Sequence, residues 1–494
     1  MREAAGWFAA LGTAVAVVAQ VAASDRSALL FRDGDSLVVA MFARSALSDV
    51  PLDWAMSSVL FLPESAVFLV LDALLPFDLD GVLAVNAVVN LLALYGALRL
   101  AAGRRRPGGA PVAWSLLALG LVGLVAATET SASRDALELA SLLLTTTYYS
   151  ATVVAVVAVV GVLRRALDDG ARPGVAVLIV GAVAAASTLT NPLFAAWASV
   201  PLTVVLVALT RRPGDRRRLL ALAGSLLGGT VLGMVARIPF SAWIANTGAG
   251  YAQPERWAES LRSYADLLAA RISEPPGALA ALLVAALLAL SIVRTARSTS
   301  TGERLVAASG WVVPLLVVVG AIALGTHAAR YLQPVVFAPV LSLVAAPAAR
   351  RLSATAARTA VAAASVALVV GGVLGILRLA AAVQRPDADL DCVTSWVAAS
   401  HRTGAGQFWT VRLPKAHLDD PSRLVQVDHR LNGYAWLVNR TDLDAGAVSY
   451  LVEDAQTVPW DLPVDVTADR IVPCGRYRIL DYGDRRIPLG PAHS

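Results

Sequence analysis

Two carboxylates, those of Asp33 and Asp35, stand two residues apart in a short polar stretch, 31–36, that follows the first apolar run. Carboxylates close to a membrane are costly to desolvate unless they face water, a cation or a partner. A carboxylate in such a place can take the proton from an attacking hydroxyl group, as a general base does. The side chain of Asp33 is also suited to cap a following helix. We therefore predict Asp33 and Asp35 as catalytic residues, with helix capping by Asp33 left open.

More polar and aromatic residues follow in the same segment, among them Asp53, Trp54 and Glu64. Carboxylates bind sugar hydroxyls, and the face of an indole ring packs against the apolar face of a sugar. Trp54 would equally suit an anchor at the membrane interface. The sequence predicts that Arg32, Asp53, Trp54 and Glu64 bind a sugar or an acceptor, with interfacial anchoring as the alternative for the tryptophan.

A cationic segment, 326–334, lies between two late apolar runs and contains His327, Arg330 and Tyr331. A guanidinium group presents a planar fork of N–H donors that matches the oxygens of a phosphate. Arg237, at the end of an earlier apolar run, is a second cation of this kind. We predict that Arg330, His327, Tyr331 and Arg237 bind a phosphate group. The alternative for both arginines is snorkelling towards lipid head groups.

The composition indicates which solvent surrounds these residues. Of the 494 residues, 57% are hydrophobic and 16% are charged, and the mean hydropathy is +0.64. A soluble protein of this size could not cover so much apolar surface, so lipid is the predicted main solvent. The net charge of +5 does not indicate nucleic acid, because the arginines form short clusters rather than one basic face. Two cysteines and five scattered histidines argue against a zinc enzyme.

Eleven apolar runs approach the length of about 20 residues that a helix needs to cross the hydrocarbon. We predict an all-α polytopic membrane protein of about eleven transmembrane helices, with residues 1–384 as its membrane domain. The first run lacks a clear cleavage site and is predicted to be a retained span rather than a signal peptide. The runs are centred on 7–23, 82–100, 112–127, 150–163, 175–186, 193–209, 219–235, 278–293, 305–324, 335–346 and 360–377.

The arginine clusters predict the orientation of the spans. Short cytoplasmic loops collect arginine, and the clusters within 104–106, 164–172, 211–218, 294–304 and 350–358 fall in alternate loops. This pattern predicts a cytoplasmic N-terminus and an extracytoplasmic segment after residue 384. The abundance of alanine, valine and arginine is typical of a GC-rich bacterial genome, so we predict a bacterial inner membrane.

Some apolar stretches are predicted to lie along the membrane. The stretch 59–75 would break the alternation of the clusters if it crossed the bilayer, so it and 36–47 are predicted as two in-plane helices. Both lie in a first external loop, 24–80, and a re-entrant pair is the alternative. A further interfacial helix is predicted over 254–273.

Glycines within the seventh run follow the small-xxx-small pattern, which lets two helices approach closely. The pairs are Gly224 with Gly228, and Gly229 with Gly233. We predict close helix packing at both pairs rather than a ligand site.

The residues from 385 to 494 differ in composition, with alternating stretches separated by Asp, Gly and Pro. They are predicted to form a small β-rich (α/β) extracytoplasmic domain. In an oxidising compartment Cys392 and Cys474 can pair and close a loop of about 80 residues, which would stabilise the domain by about 4 kcal/mol in the chain-entropy model.

These features resemble the GT-C superfamily of integral-membrane glycosyltransferases. The resemblance rests on the first external loop with Asp33-Gly34-Asp35 and its in-plane helices, on the segment with His327, Arg330 and Tyr331, and on the external C-terminal domain. It implies an inverting transfer of a sugar from a polyprenyl-phosphate donor to a cell-envelope glycan, lipid or protein, on the extracytoplasmic face. It also implies that Asp33 or Asp35 is the base and that Arg330 contacts the donor phosphate.

Donor and acceptor stay open, because the segment 53–64 resembles uncharacterised bacterial membrane proteins within or near the superfamily more than its well-known members. The resemblance also leaves open a divalent cation (Mg²⁺, Mn²⁺ or Ca²⁺) at Asp33 or Asp35, and no other cofactor is expected. The first rival is a transporter or flippase of lipid-linked sugars, which would place charged or broken-helix sites near the bilayer midplane. The second is a non-catalytic membrane protein that binds the cell wall.

Overall fold

The computed structural model describes residues 2–48, 50–168, 173–211, 216–349 and 353–494. Four arginines of the predicted cytoplasmic clusters, Arg172, Arg212, Arg350 and Arg351, lie outside the described residues. The chain divides into two compact units, each of which is described by itself. The helical unit comprises Met1–Leu29, Ala84–Ile238 and Ala249–Val383, and the sheet unit comprises Leu30–Leu83, Pro239–Gly248 and Gln384–Ser494.

The apolar runs of the sequence form α-helices, because a backbone in an apolar solvent must satisfy its own hydrogen bonds. The helices of the described residues are α1 (Arg2–Ala22), α2 (Val38–Leu47), α3 (Leu62–Leu74), α4 (Leu79–Ala101), α5 (Pro111–Ala127), α6 (Ser150–Asp168), α7 (Pro173–Thr190), α8 (Val200–Leu209), α9 (Arg216–Val235), α10 (Trp257–Ile272), α11 (Pro275–Arg297), α12 (Thr301–Ala323), α13 (Pro334–Phe337), α14 (Leu341–Ala345), α15 (Ala354–Val383), α16 (Ala388–Ser400) and α17 (Phe408–Ala416).

Within the described ranges, seven helices have the length and apolar composition needed to cross a membrane. This confirms a helical membrane protein, whereas the count of eleven spans stays a prediction. The apolar helices α5, α7 and α8, and the segment Ala329–Ala345, are shorter than a full span. The seven long helices are Arg2–Ala22, Leu79–Ala101, Ser150–Asp168, Arg216–Phe240, Pro275–Arg297, Thr301–Ala323 and Ala362–Val383.

Glycines set the close packing of α7 against α9 in the helical unit. A Cβ atom at Gly229 would meet the carbonyl oxygen of Gly181, and one at Gly233 would meet the carbonyl oxygen of Ala185. This pair confirms the prediction of close helix approach. The prediction is wrong for Gly224 and Gly228, because a Cβ atom at either position meets nothing within 4 Å.

The two helices predicted in the first external loop are present as α2 and α3, and they pack against each other in the sheet unit. Arg44 of α2 and Asp72 of α3 form an ion pair at 3.1 Å. Pro63 lies in the first turn of α3, where its missing N–H is not needed. The helix predicted over 254–273 is present as α10.

The C-terminal residues form a seven-stranded mixed sheet with the strand order β11-β4-β3-β2-β7-β9-β8, which confirms the predicted small β-rich domain. Strand β2 is central and runs parallel to both β3 and β7. Two further two-stranded pairs, β1 with β5 and β6 with β10, lie outside this sheet. The strands are β1 (Trp54–Ala55), β2 (Gly404–Gln407), β3 (Leu424–Val427), β4 (Asn432–Tyr434), β5 (Val438–Asn439), β6 (Ala447–Val448), β7 (Tyr450–Glu453), β8 (Arg470–Cys474), β9 (Tyr477–Asp481), β10 (Ile487–Pro488) and β11 (Gly490–His493).

Apolar side chains of α16 and α17 form one core with the sheet, in which Val393, Val411 and Tyr450 are fully buried. Cys392 of α16 and Cys474 of β8 form a disulfide bond. The bond ties the first helix of the domain to the edge strand of the sheet.

Most of the loop predicted over 24–80 belongs to the same compact unit as the C-terminal residues, because that unit includes Leu30–Leu83. Strand β1 pairs antiparallel with β5, so that Trp54 lies opposite Asn439. The backbone of Met56 also accepts from the amide of Ala245 at 2.9 Å. Composition divides the chain near residue 384, but these backbone pairings place the loop in the sheet unit.

Candidate functional site

The acidic stretch forms a tight turn at the start of α2. The side chain of Asp33 accepts hydrogen bonds from the amide of Ser36 at 3.1 Å and from its hydroxyl at 3.3 Å. The carbonyl oxygen of Asp33 accepts from the amide of Leu37 at 3.2 Å. These hydrogen bonds lie within the turn that precedes α2, whose N-cap residue is Leu37 without a side-chain cap, so helix capping by Asp33 is not observed. Asp33 and Asp35 are both half-buried, so each carboxylate reaches solvent.

Between the two carboxylates, Gly34 packs directly on α17. A Cβ atom at this position would lie 3.2 Å from Cγ of Arg412 and 3.3 Å from Cε3 of Trp409. These separations are tighter than an ordinary contact, so a side chain at position 34 would push α17 away. The glycine is needed here for close approach.

Arg412 is buried beneath this turn, with 0% of its surface exposed. Its Nε donates to the carbonyl oxygen of Gly34 at 3.2 Å, and its Nη1 donates to the carbonyl oxygen of Leu437 at 2.5 Å. Its Nη2 is also buried and makes no hydrogen bond to any described residue. Burial lowers the pKa of Arg412 to about 10, against the opposing effect of the carboxylates of Asp35, Asp33 and Asp442. The guanidinium therefore stays charged at neutral pH.

A second buried cation follows on the same helix. Lys415, the single lysine of the chain, is fully buried and its Nζ lies 2.8 Å from the carboxylate of Asp442. The same Nζ donates to the carbonyl oxygens of Pro421 and Leu424 at 2.7 and 2.9 Å. Burial lowers the pKa of Lys415, and Asp442 opposes this effect. Sequence reasoning missed both cations, although an arginine and a lysine in a short apolar stretch were a usable signal.

Aromatic side chains surround the exposed end of this arrangement. Trp409 of α17 is 38% exposed, and its ring lies edge-on to Phe408 with centroids 4.6 Å apart. Phe408 in turn lies 6.3 Å from Tyr434, and Tyr434 lies 5.6 Å from His493. The result is a partly exposed indole beside Gly34, the residue between Asp33 and Asp35. Sequence reasoning also missed this indole.

The predicted sugar-binding residues of the loop have different surroundings. Trp54 is 1% exposed, and its indole N–H donates to the hydroxyl of Ser45 at 2.9 Å. Protein covers the indole ring, so the position of Trp54 does not support sugar stacking. Glu64 is 7% exposed in the first turn of α3. The predictions for these two residues gain no support from their burial.

Two other loop residues form ion pairs within the sheet unit. Arg32 pairs with Asp387, which also binds Arg476 at 2.8 Å. Asp53 accepts a hydrogen bond from Arg440 at 2.8 Å. These pairs connect the loop to the C-terminal residues, and the proposed binding roles of Arg32 and Asp53 stay predictions.

In the helical unit, Arg330 lies among aromatic rings. Its guanidinium is 5.6 Å from the ring centroid of Tyr331 and 3.6 Å from the carboxylate of Asp135. The side chain of Tyr149 also interacts with Arg330, and the rings of Tyr149 and Tyr331 are stacked with centroids 6.5 Å apart. The indole N–H of Trp197 donates to the carbonyl oxygen of Tyr331 at 3.1 Å. The structure therefore brings Arg330 and Tyr331 together in a positioned cluster.

His327 and Arg237 are placed differently. His327 is exposed, next to Thr326, whose hydroxyl is hydrogen-bonded to that of Tyr264 at 2.8 Å. The Nη1 of Arg237 donates to the carbonyl oxygen of Leu189 near the end of α7 at 2.7 Å. Arg237 thus satisfies a helix-terminal carbonyl, which is a structural function beside the predicted phosphate binding.

A cavity of about 520 Å³ opens between α10, α11 and the end of α12 in the helical unit. Its wall is mostly aliphatic, with Leu268, Val284 and Leu288 among its residues. The polar side chains at its wall include Tyr264 and Arg271. A cavity of this volume and composition suits an apolar ligand with a polar end.

Charged side chains are buried beside this cavity. The Nη1 of Arg271 donates to Glu138 at 2.7 Å, and its side chain is 9% exposed. Its Nη2 is buried without a hydrogen bond to any described residue. Sequence reasoning did not select Arg271 or Glu138.

The neighbouring charges are satisfied internally. Glu129 accepts from the amides of Ala140 at 2.9 Å and Ser141 at 2.8 Å. Arg26, which is 1% exposed, donates to the hydroxyl of Ser141 at 2.7 Å. Burial raises the pKa of Glu129, and the charge of Arg26 opposes this effect. These residues hold the backbone of 129–141 in place beside the cavity.

Among the residues that the structure describes, no group of three or more His, Cys, Asp or Glu side chains could hold a metal ion. The acidic turn therefore offers Asp33 and Asp35 without a third such ligand in the described ranges.

The comparisons with known proteins give no family: neither a protein-family model nor a curated protein matches the chain.

Proposed function

We propose that the chain is a membrane glycosyltransferase that moves a sugar from a polyprenyl-phosphate donor to a cell-envelope glycan, lipid or protein. The observation that supports this most is the cavity of about 520 Å³, which has a mostly aliphatic wall with Arg271 among its lining residues. A polyprenyl phosphate has the complementary chemistry, since a long apolar chain ends in an anion. The enzyme would work in a bacterial inner membrane, on its extracytoplasmic face, with the N-terminus in the cytoplasm.

The donor phosphate has two candidate partners in the helical unit. Arg271 borders the cavity and keeps one N–H group unused within the described structure. Arg330 lies in its aromatic cluster with Tyr331, and Leu332, two residues further along the chain, is part of the cavity wall. A guanidinium stabilises the phosphate as it leaves, because negative charge develops on the oxygen of the breaking bond.

The acceptor half of the reaction is assigned to the acidic turn of the sheet unit. The side chain of Asp33 accepts hydrogen bonds from Ser36 within the turn, so we give Asp33 a positioning role and assign the general base to the second carboxylate of the turn, that of Asp35. Asp35 takes the proton of the acceptor hydroxyl, and that oxygen attacks the anomeric carbon with inversion. The bond from the anomeric carbon to the phosphate oxygen breaks, and polyprenyl phosphate leaves.

The test uses the full chain in lipid nanodiscs with polyprenyl-phosphate-linked hexoses and pentoses and an extract of cell-envelope glycans. Mass spectrometry follows the release of polyprenyl phosphate and the gain of one sugar by an acceptor. We expect release by the wild-type chain and its loss in Asp35→Asn. Asp461→Asn, whose carboxylate is 69% exposed, is the matched control and keeps activity.

The rival function is a transporter of lipid-linked sugars, since the same cavity would accept the same lipid. It predicts that the donor binds while its glycosidic bond stays intact in every variant. Donor binding without release of polyprenyl phosphate in the wild-type chain would favour that function over transfer.

A further inference from the structure

We propose that Trp409 is the platform on which a neutral sugar ring of the acceptor stacks, next to the carboxylates of Asp33 and Asp35. This inference rests on the proposed function and names the acceptor class of its site, a glycan. It assigns substrate recognition to α17 of the C-terminal residues.

The first support is the exposure of Trp409 on a buried helix. The other eight residues of α17, Phe408 and Thr410–Ala416, are all buried, whereas the indole is 38% exposed. A large aromatic group on the solvent side of so short a helix does not contribute to the domain core. Tryptophan in such a place offers a wide apolar face with one polar N–H, which is the composition of a binding platform.

The second support is that the ring is held in place. Its Cε3 lies 3.3 Å from the position of a Cβ atom on Gly34, and Phe408 contacts it edge-on at 4.6 Å between centroids. A ring fixed from two sides loses little conformational entropy when a ligand binds, so stacking on it is favourable.

The third support is the polar complement around the same glycine. Asp33 and Asp35 flank Gly34 and are half-buried, so they can accept hydrogen bonds from sugar hydroxyls. Arg412 contacts Gly34 from the protein side, and its Nη2 is fully buried without a hydrogen bond within the described ranges. Arg412 thus fixes the turn from within the protein, and the turn supplies hydrogen-bond acceptors beside the apolar face of the indole. Trp54, buried and hydrogen-bonded to Ser45, lacks this exposure.

The test measures binding of short neutral mannan, arabinan and glucan oligosaccharides to the full chain in nanodiscs by saturation-transfer NMR. We expect one of these classes to bind the wild-type chain and Trp409→Ala to weaken that binding at least about tenfold, a loss of about 1.4 kcal/mol. Trp409→Phe keeps an aromatic face and stays within about threefold. Trp257→Ala, which removes an indole that is 55% exposed in the helical unit, changes nothing.

Two results would overturn the inference: no oligosaccharide binds the wild-type chain, or Trp409→Ala binds as tightly as the wild type. Failure of the proposed function looks different. In that case no polyprenyl phosphate is released, yet glycan binding still depends on Trp409. If transfer occurs and Trp409→Ala leaves the KM for the acceptor unchanged, the platform is wrong and the transferase stands.

Discussion

The Nε atom of Arg412 donates a hydrogen bond to the carbonyl oxygen of Gly34 at 3.2 Å, across 378 residues of sequence. The guanidinium thus fixes the backbone between the two carboxylates of the acidic turn. Because Arg412 is fully buried, the position of the turn depends on a charged group that solvent does not reach. The first prediction follows from this dependence.

Replacing Arg412 by methionine is expected to destabilise the sheet unit by about 1–3 kcal/mol, the usual cost of leaving buried hydrogen-bond acceptors unsatisfied. The carbonyl oxygens of Gly34 and Leu437 lose a donor, and Asp33, Asp35 and Asp442 lose a neighbouring cation. Thermal unfolding followed by tryptophan fluorescence measures the change. Arg430→Met, which removes an exposed ion pair with Asp461, should shift the transition little. Equal midpoint temperatures of unfolding in Arg412→Met and Arg430→Met would contradict the structural role of Arg412.

Removal of the disulfide should also weaken the sheet unit. The bond between Cys392 and Cys474 closes a loop with a sequence separation of 82, and a loop of this length contributes about 4 kcal/mol in the chain-entropy model. The double variant Cys392→Ser, Cys474→Ser is expected to unfold at a lower denaturant concentration than the oxidised wild type. The wild type in a reducing agent should match the double variant. A midpoint unaffected by either treatment would refute this prediction.

A matched pair of glycine variants tests the packing of α7 against α9. Gly233→Ala places a Cβ atom against the carbonyl oxygen of Ala185, and such overpacking costs about 1–3 kcal/mol. Gly228→Ala adds a methyl group where nothing lies within 4 Å, so it should be neutral. The midpoint of thermal unfolding in detergent separates the two. The packing would be wrong if Gly228→Ala were the more damaging variant.

The acid stability of the sheet unit should depend on Asp387. Burial raises the pKa of this carboxyl, but hydrogen bonds from Arg476 and from the amide of Leu390 outweigh it, so the pKa lies below its ordinary value of 3.8. The folded state then binds fewer protons than the unfolded state. The stabilisation is fully present above the unfolded pKa and is lost as the pH falls through the lower, folded pKa.

Unfolding temperatures measured from pH 6 down to pH 3 test this dependence. Asp387→Asn should be less stable than the wild type near neutral pH, and the two curves should converge as the pH falls. Asp461→Asn, in an exposed pair, should follow the wild type throughout. If the plots of unfolding temperature against pH were parallel for Asp387→Asn and the wild type, the ion pairs of Asp387 would contribute nothing to the pH dependence of stability.

Much of the local structure could be predicted from the sequence, because length and hydropathy determine it. The stretches 36–47 and 59–75 were expected as helices, and α2 and α3 lie within them. The same reasoning wrongly predicted close helix packing at Gly224 and Gly228. A spacing pattern does not say which face of a helix packs against a neighbouring helix. The face is set by tertiary packing, and here Gly229 and Gly233 lie on it.

The grouping of the first loop with the C-terminal residues could not be predicted. It depends on the pairing of Trp54 with Asn439, and a two-residue strand carries no pattern that identifies a partner so distant in sequence. The buried positions of the side chains of Arg412 and Arg271 could not be predicted for a related reason. Whether an arginine is buried beside a carboxylate or exposed at a membrane surface is decided by contacts between distant segments.

If Asp35 is the base in sugar transfer from a polyprenyl-phosphate donor, as proposed, the release of polyprenyl phosphate must depend on its carboxylate. Release of polyprenyl phosphate is followed by mass spectrometry for the wild type, Asp35→Asn, Asp33→Asn and Asp461→Asn in nanodiscs. We predict release by the wild type and Asp461→Asn, a loss of at least about a hundredfold in Asp35→Asn, and a smaller loss in Asp33→Asn. Wild-type rates of release in Asp35→Asn, or intact donor with every protein, would contradict the account.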